Sequence, residues 1–228
     1  MHGPHNRPVP ILMYHVLAQA PAGATYPELW VRPADFAAQM NWLAAHGYHA
    51  VTLGQLFRYW RRGVALPPKP FVATFDDGYL SDFTVGLPTL RKHGWPGVLN
   101  LVVDNVKSGD LTAGQVRALI AAGWEIDAHT VTHPDLIALD PARLRYEVSG
   151  SRARLRAMFH QPVDFFCYPV GHYDASVIAA VRTAGFLGAT TENAGLGRPS
   201  NPFTLDRIRI DAGGGAAQLA QKLALAGA

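Results

Sequence analysis

The stretch FVATFDDGYLSD, residues 71–82, ends a run of five apolar or small residues on two adjacent carboxylates, Asp76 and Asp77. A second stretch, AHTVTHPDL, carries His129 and His133 four residues apart. On one helical turn that spacing puts two imidazoles on the same face, within reach of one metal ion. Pro134 disfavours the helical region for His133, so the turn is expected to end there. Two neutral imidazoles and one carboxylate make a three-ligand site with positions left open for water and substrate. The remaining aspartate can then accept a proton from a water that the metal has acidified. One carboxylate for the metal and one for the proton accounts for two like charges side by side. Adjacent side chains of an extended chain point opposite ways, so the backbone must turn at this strand end, which Gly78 permits.

These residues need a frame that collects strand ends. Short β-type runs alternate with helical patterns from PILMYH (10–15) to RIRI (207–210). Helices are expected from Asp35 to His46, from a Thr52 cap to Arg62, from Thr112 to Ala122, from an Asp140 cap with Pro141 at the first position, and from Asp174 to Ala184. A helical segment after Asp82 is interrupted by Pro88, and a glycine-broken helix ends the chain. Eight strands alternating with helices predict an α/β fold whose parallel sheet is closed, or nearly closed, into a barrel. The strand ends then present His15, Asp76 with Asp77, Asp127 with His129, and Tyr168 with Pro169 on one face, where such barrels do their chemistry.

The totals are compatible with this frame. The chain has 228 residues, 49% of them hydrophobic, enough for one continuous core. A net charge of +3, with basic residues scattered rather than striped, argues against a nucleic-acid partner. The single cysteine, Cys167, excludes an internal disulfide and reads as a buried small residue. No apolar run is long enough to span a bilayer, and the first ten residues lack the regions of a signal peptide. One domain over residues 1–228 is expected, with 1–9 as a flexible N-terminal segment; oligomeric state is not predicted.

TFDDGY, HTVTH and FCYPVG, in this order, resemble the motifs of the polysaccharide deacetylases, carbohydrate esterase family 4. The similarity runs from PILMYHV through LPPKPFVATFDDGY to LDRIRI. It implies a distorted (β/α) barrel of about seven or eight parallel strands and one divalent metal, zinc first, with Co2+, Ni2+ or Fe2+ also accepted. Position by position, it makes Asp76 the general base and Asp77, His129 and His133 the metal ligands. The Tyr168 backbone N–H, beside Pro169, would hold the oxyanion of the acetyl group under attack.

The chain departs from the family pattern twice. Cys167 stands where the third motif carries an arginine that orients the base, and LDRIRID lacks the late histidine that serves as acid. His15 in MYHV is the candidate acid, as in the poly-N-acetylglucosamine deacetylase-like subgroup, which MYH with FxYPxG resembles most; His172 is the second choice. Asp127 and Asp164 are candidates for orienting metal ligands, and Tyr79, Tyr173 and Trp30 for stacking on sugar. The expected function is metal-dependent removal of N-acetyl groups from a GlcNAc-containing polysaccharide, an acetylated carbohydrate; localisation is not read from the chain itself, and the resemblance suggests a secreted or cell-envelope-associated protein. The alternatives are an O-acetyl esterase on xylan-like polymers and a glycan-binding module that keeps the metal but has lost catalysis.

Overall fold

The computed structural model describes residues 5–107 and 109–228. Eight strands form one parallel sheet: β1 (Ile11–Tyr14), β2 (His49–Ala50), β3 (Pro70–Asp77), β4 (Val98–Leu101), β5 (Glu125–Ala128), β6 (Phe165–Cys167), β7 (Gly188–Ala194) and β8 (Leu205–Arg209). Their order is β1-β8-β7-β6-β5-β4-β3-β2, and β1 also pairs with β3, so seven strands close into a barrel and β2 flanks it. This is the expected barrel. Between the strands run α1 (Pro33–Ala45), α2 (Leu53–Arg62), α3 (Leu87–Arg91), α4 (Ala113–Ala121), α5 (Pro141–Phe159) and α6 (Ala175–Thr183), and α7 (Gly215–Ala226) follows β8. Thr52 and Thr112 each close a capping box with the glutamine three residues on, and Asp140 and Asp174 cap their helices as expected. Among the described residues no helix is long and apolar enough to cross a membrane.

Side-chain alternation divides each strand between two environments. Leu12, Tyr14, Ala73, Phe75, Leu99, Ile126 and Phe166 face outward into the main core under the helices. Tyr14 meets Phe36 of α1 edge-on at 5.1 Å and donates its hydroxyl to Gln39 at 2.9 Å. Ile11, Val72, Val98, Phe165 and Leu205 point the other way and, with Leu53, Leu56 and Phe57 of α2, plug the N-terminal end of the barrel. The interior turns polar above that plug, with Thr74, Asp76, Asn100, Asp127, Cys167, Thr190 and Arg207 all buried. A polar layer in a dry barrel is stable only if its members pair with one another.

The expected flexible N-terminal segment is packed from His5 onward. His5 meets Tyr59 edge-on at 5.4 Å, Arg7 O accepts from Trp60 at 2.9 Å, and Val9 is bridged to Gly197. The first four residues of that segment lie outside the described residues.

After β3 the interruption foreseen at Pro88 is a π turn, Asp82–Gly86, which closes with the Leu87 N–H on Asp82 O before α3 starts. Asp82 is fully buried, and among the described residues no side chain donates to its carboxylate, which has at most the Tyr79 backbone beside it. Burial, and then the Asp77 and Asp76 carboxylates, push its pKa well above the ordinary range. A carboxyl whose folded pKa is raised costs nothing below its unfolded value and an increasing amount above it. Asp82→Asn is therefore expected to stabilise the protein at pH 8 by about 1 kcal/mol, roughly 2–4 °C in Tm, and by less at pH 5. Thermal melts at both pH values check this; a shift of equal size at each, or a lower Tm at pH 8, contradicts it.

Candidate metal and catalytic site

Asp76 is the last inward side chain of β3 and is only 2% exposed. Arg207, projecting inward from β8, grips both its oxygens: Nη1 donates to Oδ1 at 2.9 Å and Nη2 to Oδ2 at 2.7 Å. Asn100 on β4 donates a third hydrogen bond to Oδ1 at 2.7 Å. Burial alone would raise the Asp76 pKa, but the Arg207 charge and hydrogen bonds hold it well below the usual carboxylate range. The expectation that this chain lacks an arginine beside the base is therefore corrected. The guanidinium arrives from β8 rather than from the third motif, and the small Cys167 side chain leaves it room, with Sγ 3.3 Å from Nη2. One of the two grounds for a non-catalytic binding module disappears with it.

Asp77 points to the other side because the chain has already turned at this residue, with φ +76, followed by Gly78 at φ +92. A Cβ at Gly78 would collide with Leu101, so the turn needs a glycine on steric as well as torsional grounds. Asn105 Nδ2 donates to Asp77 O at 3.0 Å and fixes the turned backbone.

The two histidines do not lie on a helical turn. His129 follows β5, and the chain then takes left-handed values at Thr130 (φ +70) and His133 (φ +60). The loop folds back on itself through the His133 N–H on Thr130 Oγ1 at 2.8 Å. Its Val131 and Thr132 amides are satisfied by Glu147, a fully buried carboxylate of α5. Glu147 accepts from Val131 N at 2.8 Å, Thr132 N at 2.9 Å and Thr132 Oγ1 at 2.8 Å, and pairs with Arg143 at 2.7 Å. Neither spacing nor composition around HTVTH singled out Glu147. The available signal was its place on the helix face of Leu144, Val148, Ser151 and Leu155, where a buried carboxylate requires partners.

The loop brings His133 Nε2 to 3.1 Å from His129 Nε2, and each nitrogen to 3.4 Å from Asp77 Oδ1. A tetrahedral ion with bonds of about 2.0–2.1 Å sets its ligands about 3.3–3.4 Å apart, so the three atoms are spaced as one face of such a site. Among the described residues Asp77 Oδ1 is buried without a hydrogen-bond donor, and His129 Nδ1 lies 2.8 Å from Cys167 O, which assigns its proton to Nδ1 and turns a bare Nε2 toward the others. The donor set fits a divalent metal. Asp127 and Asp164, expected as orienting partners, do not fill that role. Asp127 accepts from Phe165 N at 3.0 Å, Asp164 pairs with Arg152 at 3.3 Å, and a backbone carbonyl orients His129 instead.

Asp76, Asp77, His129 and His133 open onto a cavity of about 580 Å3 that His15, Tyr26, Tyr79, Asn105, Val170, Glu192 and Arg209 also line. His15 Nε2 stands 3.9 Å from Asp76 Oδ2; burial lowers its pKa, against the opposing pull of Asp76 and Asp77. His172 is outside the cavity and paired with Asp135 at 3.0 Å. Tyr79 is in the lining, whereas Tyr173 and Trp30 are not. The expected oxyanion donor is also corrected. The Tyr168 N–H is committed to Thr190 O at 3.2 Å in the sheet, its ring is buried, and its hydroxyl donates to Phe203 O at 3.0 Å. Pro169 has no N–H to offer. The residue of that turn facing the cavity is Val170, held at φ +49 and half exposed.

Two tests follow from this geometry. Arg207→Met leaves a buried Asp76 charge unpaired and is expected to cost about 3–5 kcal/mol, of which Asp76→Asn in the same chain recovers a part. Urea unfolding of the single and double variants measures this; a loss under about 1 kcal/mol would show that the pair does not hold the barrel interior. Glu147→Ala frees three donors of the histidine loop and is expected to weaken metal binding about 10–100-fold. Chelator competition reads the affinity directly, and a wild-type value would remove Glu147 from the support of the site.

Comparison with known proteins is consistent with the geometry. A family model described as polysaccharide deacetylase matches residues 63–189, more than half of the chain. A Bacillus subtilis (strain 168) protein, YxkH, named for the same family, is 29% identical over 90% of this chain and 72% of its own. The poly-beta-1,6-N-acetyl-D-glucosamine N-deacetylase of Escherichia coli (strain K12) is 38% identical over 95 residues, which are 42% of this chain but 14% of that protein. Among solved structures, the Streptococcus pyogenes deacetylase PplD in complex with acetate superposes with a TM-score of 0.88 at 25% identity, covering 95% of this chain and 98% of that one. The fold, the strand-end residues and these matches together make the chain a member of the polysaccharide deacetylase family, hydrolases acting on acetyl groups of carbohydrates.

Proposed function

We propose that this chain is a metal-dependent N-deacetylase of a GlcNAc-containing polysaccharide, with poly-N-acetylglucosamine as the leading substrate, working on an extracellular or envelope polymer. The observation that carries the reading is the meeting of Asp76, His15 and the Asp77, His129, His133 triad on one cavity. A divalent ion held by that triad would supply Lewis acidity toward the acetyl carbonyl and lower the pKa of a water. Zinc suits the donor set first, with Co2+, Ni2+ or Fe2+ as alternatives.

In this reading Asp76 is the general base. Arg207 keeps it ionised, and the same pairing makes it a weak base, suited only to an acidified water. His15 is neutral at rest because burial lowers its pKa, so it first receives a proton. The proton collected by Asp76 crosses the 3.9 Å between them through one bridging water, and His15 as imidazolium gives it to the departing nitrogen. An amide needs this step more than an ester, since an amine leaves poorly without a proton. The Val170 N–H, which has no acceptor among the described residues, replaces Tyr168 as the donor to the oxyanion.

The test is acetate release from chitooligosaccharides, β-1,6-linked GlcNAc oligomers, peptidoglycan fragments and acetylated xylan, after chelation and again after zinc is restored. Zinc-restored release from a GlcNAc substrate is expected. Asp76→Asn should lower it about 10²–10⁴-fold while binding zinc as the wild type does. No release from any GlcNAc substrate by zinc-loaded protein, or undiminished turnover by Asp76→Asn, would sink the reading.

A further inference from the structure

The cavity wall formed by the ends of β7 and β8 carries a charged pair that the acetyl chemistry does not use. Arg209 projects from the end of β8, two residues after Arg207, and lines the cavity with Glu192 of β7 and Glu28 of the loop before α1. Its Nη1 donates to Glu192 Oε2 at 3.0 Å, and its Nε lies 3.2 Å from Asp211 Oδ1. Its Nη2 is 3.8 Å from Glu28 Oε1, beyond hydrogen-bond distance. Lys222 of α7 ties down the backbone by donating to Arg209 O at 2.8 Å. Glu192 is fixed from the other side, since the turn at Gly171 (φ +69) approaches so closely that a Cβ there would stand 2.8 Å from Glu192 Cβ. Both side chains are about one-third exposed, at 35% and 30%.

Among the described residues no hydrogen bond engages Arg209 Nη2 or Glu192 Oε1, so in the cavity lining they share with Glu28 the pair has N–H donors and one carboxylate oxygen left for a ligand. Two neighbouring hydroxyls, each both donor and acceptor, give such a pair one oxygen for each partner, whereas a single hydroxyl has to serve both. We propose that Arg209 and Glu192 form a diol-binding subsite that takes the O3 and O4 hydroxyls of a glucosamine ring and so selects 1,6-linked over 1,4-linked polymers. The chemistry of the linkage makes the distinction. In a 1,6-linked chain O3 and O4 are both free on each internal residue and lie side by side in equatorial positions. In a 1,4-linked chain O4 of every residue except the non-reducing end belongs to the glycosidic bond, and at those residues the pair is left with one hydroxyl and an unmatched polar atom. Strands rather than loops supply both side chains, which gives the subsite the rigidity that discrimination needs.

This inference rests on the deacetylase reading above, and its test separates the two. Acetate release is measured for a β-1,6-linked GlcNAc tetramer, for chitotetraose and for 4-nitrophenyl acetate, which has no diol, using the zinc-loaded wild type, Arg209→Met, Glu192→Gln and Arg209→Lys. The wild type is expected to favour the 1,6-linked tetramer at least about tenfold in kcat/KM. Arg209→Met and Glu192→Gln should raise KM for that tetramer more than they lower kcat, and bring the preference toward unity. Arg209→Lys, which keeps the charge but not the fork, should fall between. The ratio of tetramer to ester turnover should drop in each variant. Loss of all three activities by a common factor would mean that the pair only supports the fold, and would overturn the subsite. A wild type that cleaves both tetramers equally would overturn it while leaving the deacetylase reading in place. A zinc-loaded wild type that cleaves neither tetramer would overturn the subsite, and would overturn the deacetylase reading as well where peptidoglycan fragments are also left intact.

Discussion

The Arg207–Asp76 ion pair at the centre of the barrel is the interaction on which the rest of the site depends. Both residues are almost completely buried, and two charges taken from water are costly unless geometry is excellent and the remaining hydrogen-bonding groups are satisfied. Here they are: Arg207 also donates to Thr191 O at 2.7 Å and Thr74 Oγ1 at 3.0 Å, while Asn100 completes Asp76. The guanidinium thereby joins β8, β7 and β3 across the interior. It also sets the chemistry, because the bond that makes Asp76 tolerable in a dry interior also keeps it ionised.

Around that pair, strain is concentrated on one rim of the barrel. Asp77, Thr130, His133 and Val170 all adopt positive φ, a conformation that costs a non-glycine residue free energy and persists only where neighbours over-determine it. Three of the four have a visible restraint. Asn105 holds the carbonyl of Asp77, Glu147 holds the amides after Thr130, and Thr130 Oγ1 holds the amide of His133. Each restraint comes from a different element, so the metal-ligand face is assembled by β4–α4, α5 and its own loop together.

How legible this was in the sequence follows from how local each feature is. Asp76, Asp77, His129 and His133 could be read because each pair is short-range and sits where a strand must end. The barrel could be read from alternation of strand and helix patterns. The partner of Asp76 could not, because it lies 131 residues away and RIRI read simply as another strand. A signal was nevertheless present. Arg207 and Arg209 alternate with Ile208 and Ile210 in a strand buried on both faces, and a charge on the interior face must meet a counter-charge. The error at Tyr168 has the opposite origin. Its N–H pairs with Thr190 O inside the sheet, and a sequence does not show which amides a sheet consumes. The helical reading of His129 and His133 failed because spacing alone does not reveal that two left-handed residues fold the same five-residue stretch into a tighter loop.

The replacement of the motif arginine by Cys167 also bears on how such a site can change without losing its chemistry. What the base requires is one guanidinium at a given point in the interior, and a closed barrel offers several strands from which to reach it. An arginine at position 167 and another at 207 would compete for the same carboxylate, and two buried cations facing one anion would leave a charge unpaired. The small side chain on β6 and the long one on β8 are thus complementary, with Cys167 Sγ 3.6 Å from Asp76 Oδ2 and 3.3 Å from Arg207 Nη2. The constraint acts on the pair of positions rather than on either residue. The next inward residue of the same strand, Arg209, lines the cavity wall, so β8 supplies one guanidinium to the base and a second to the cavity.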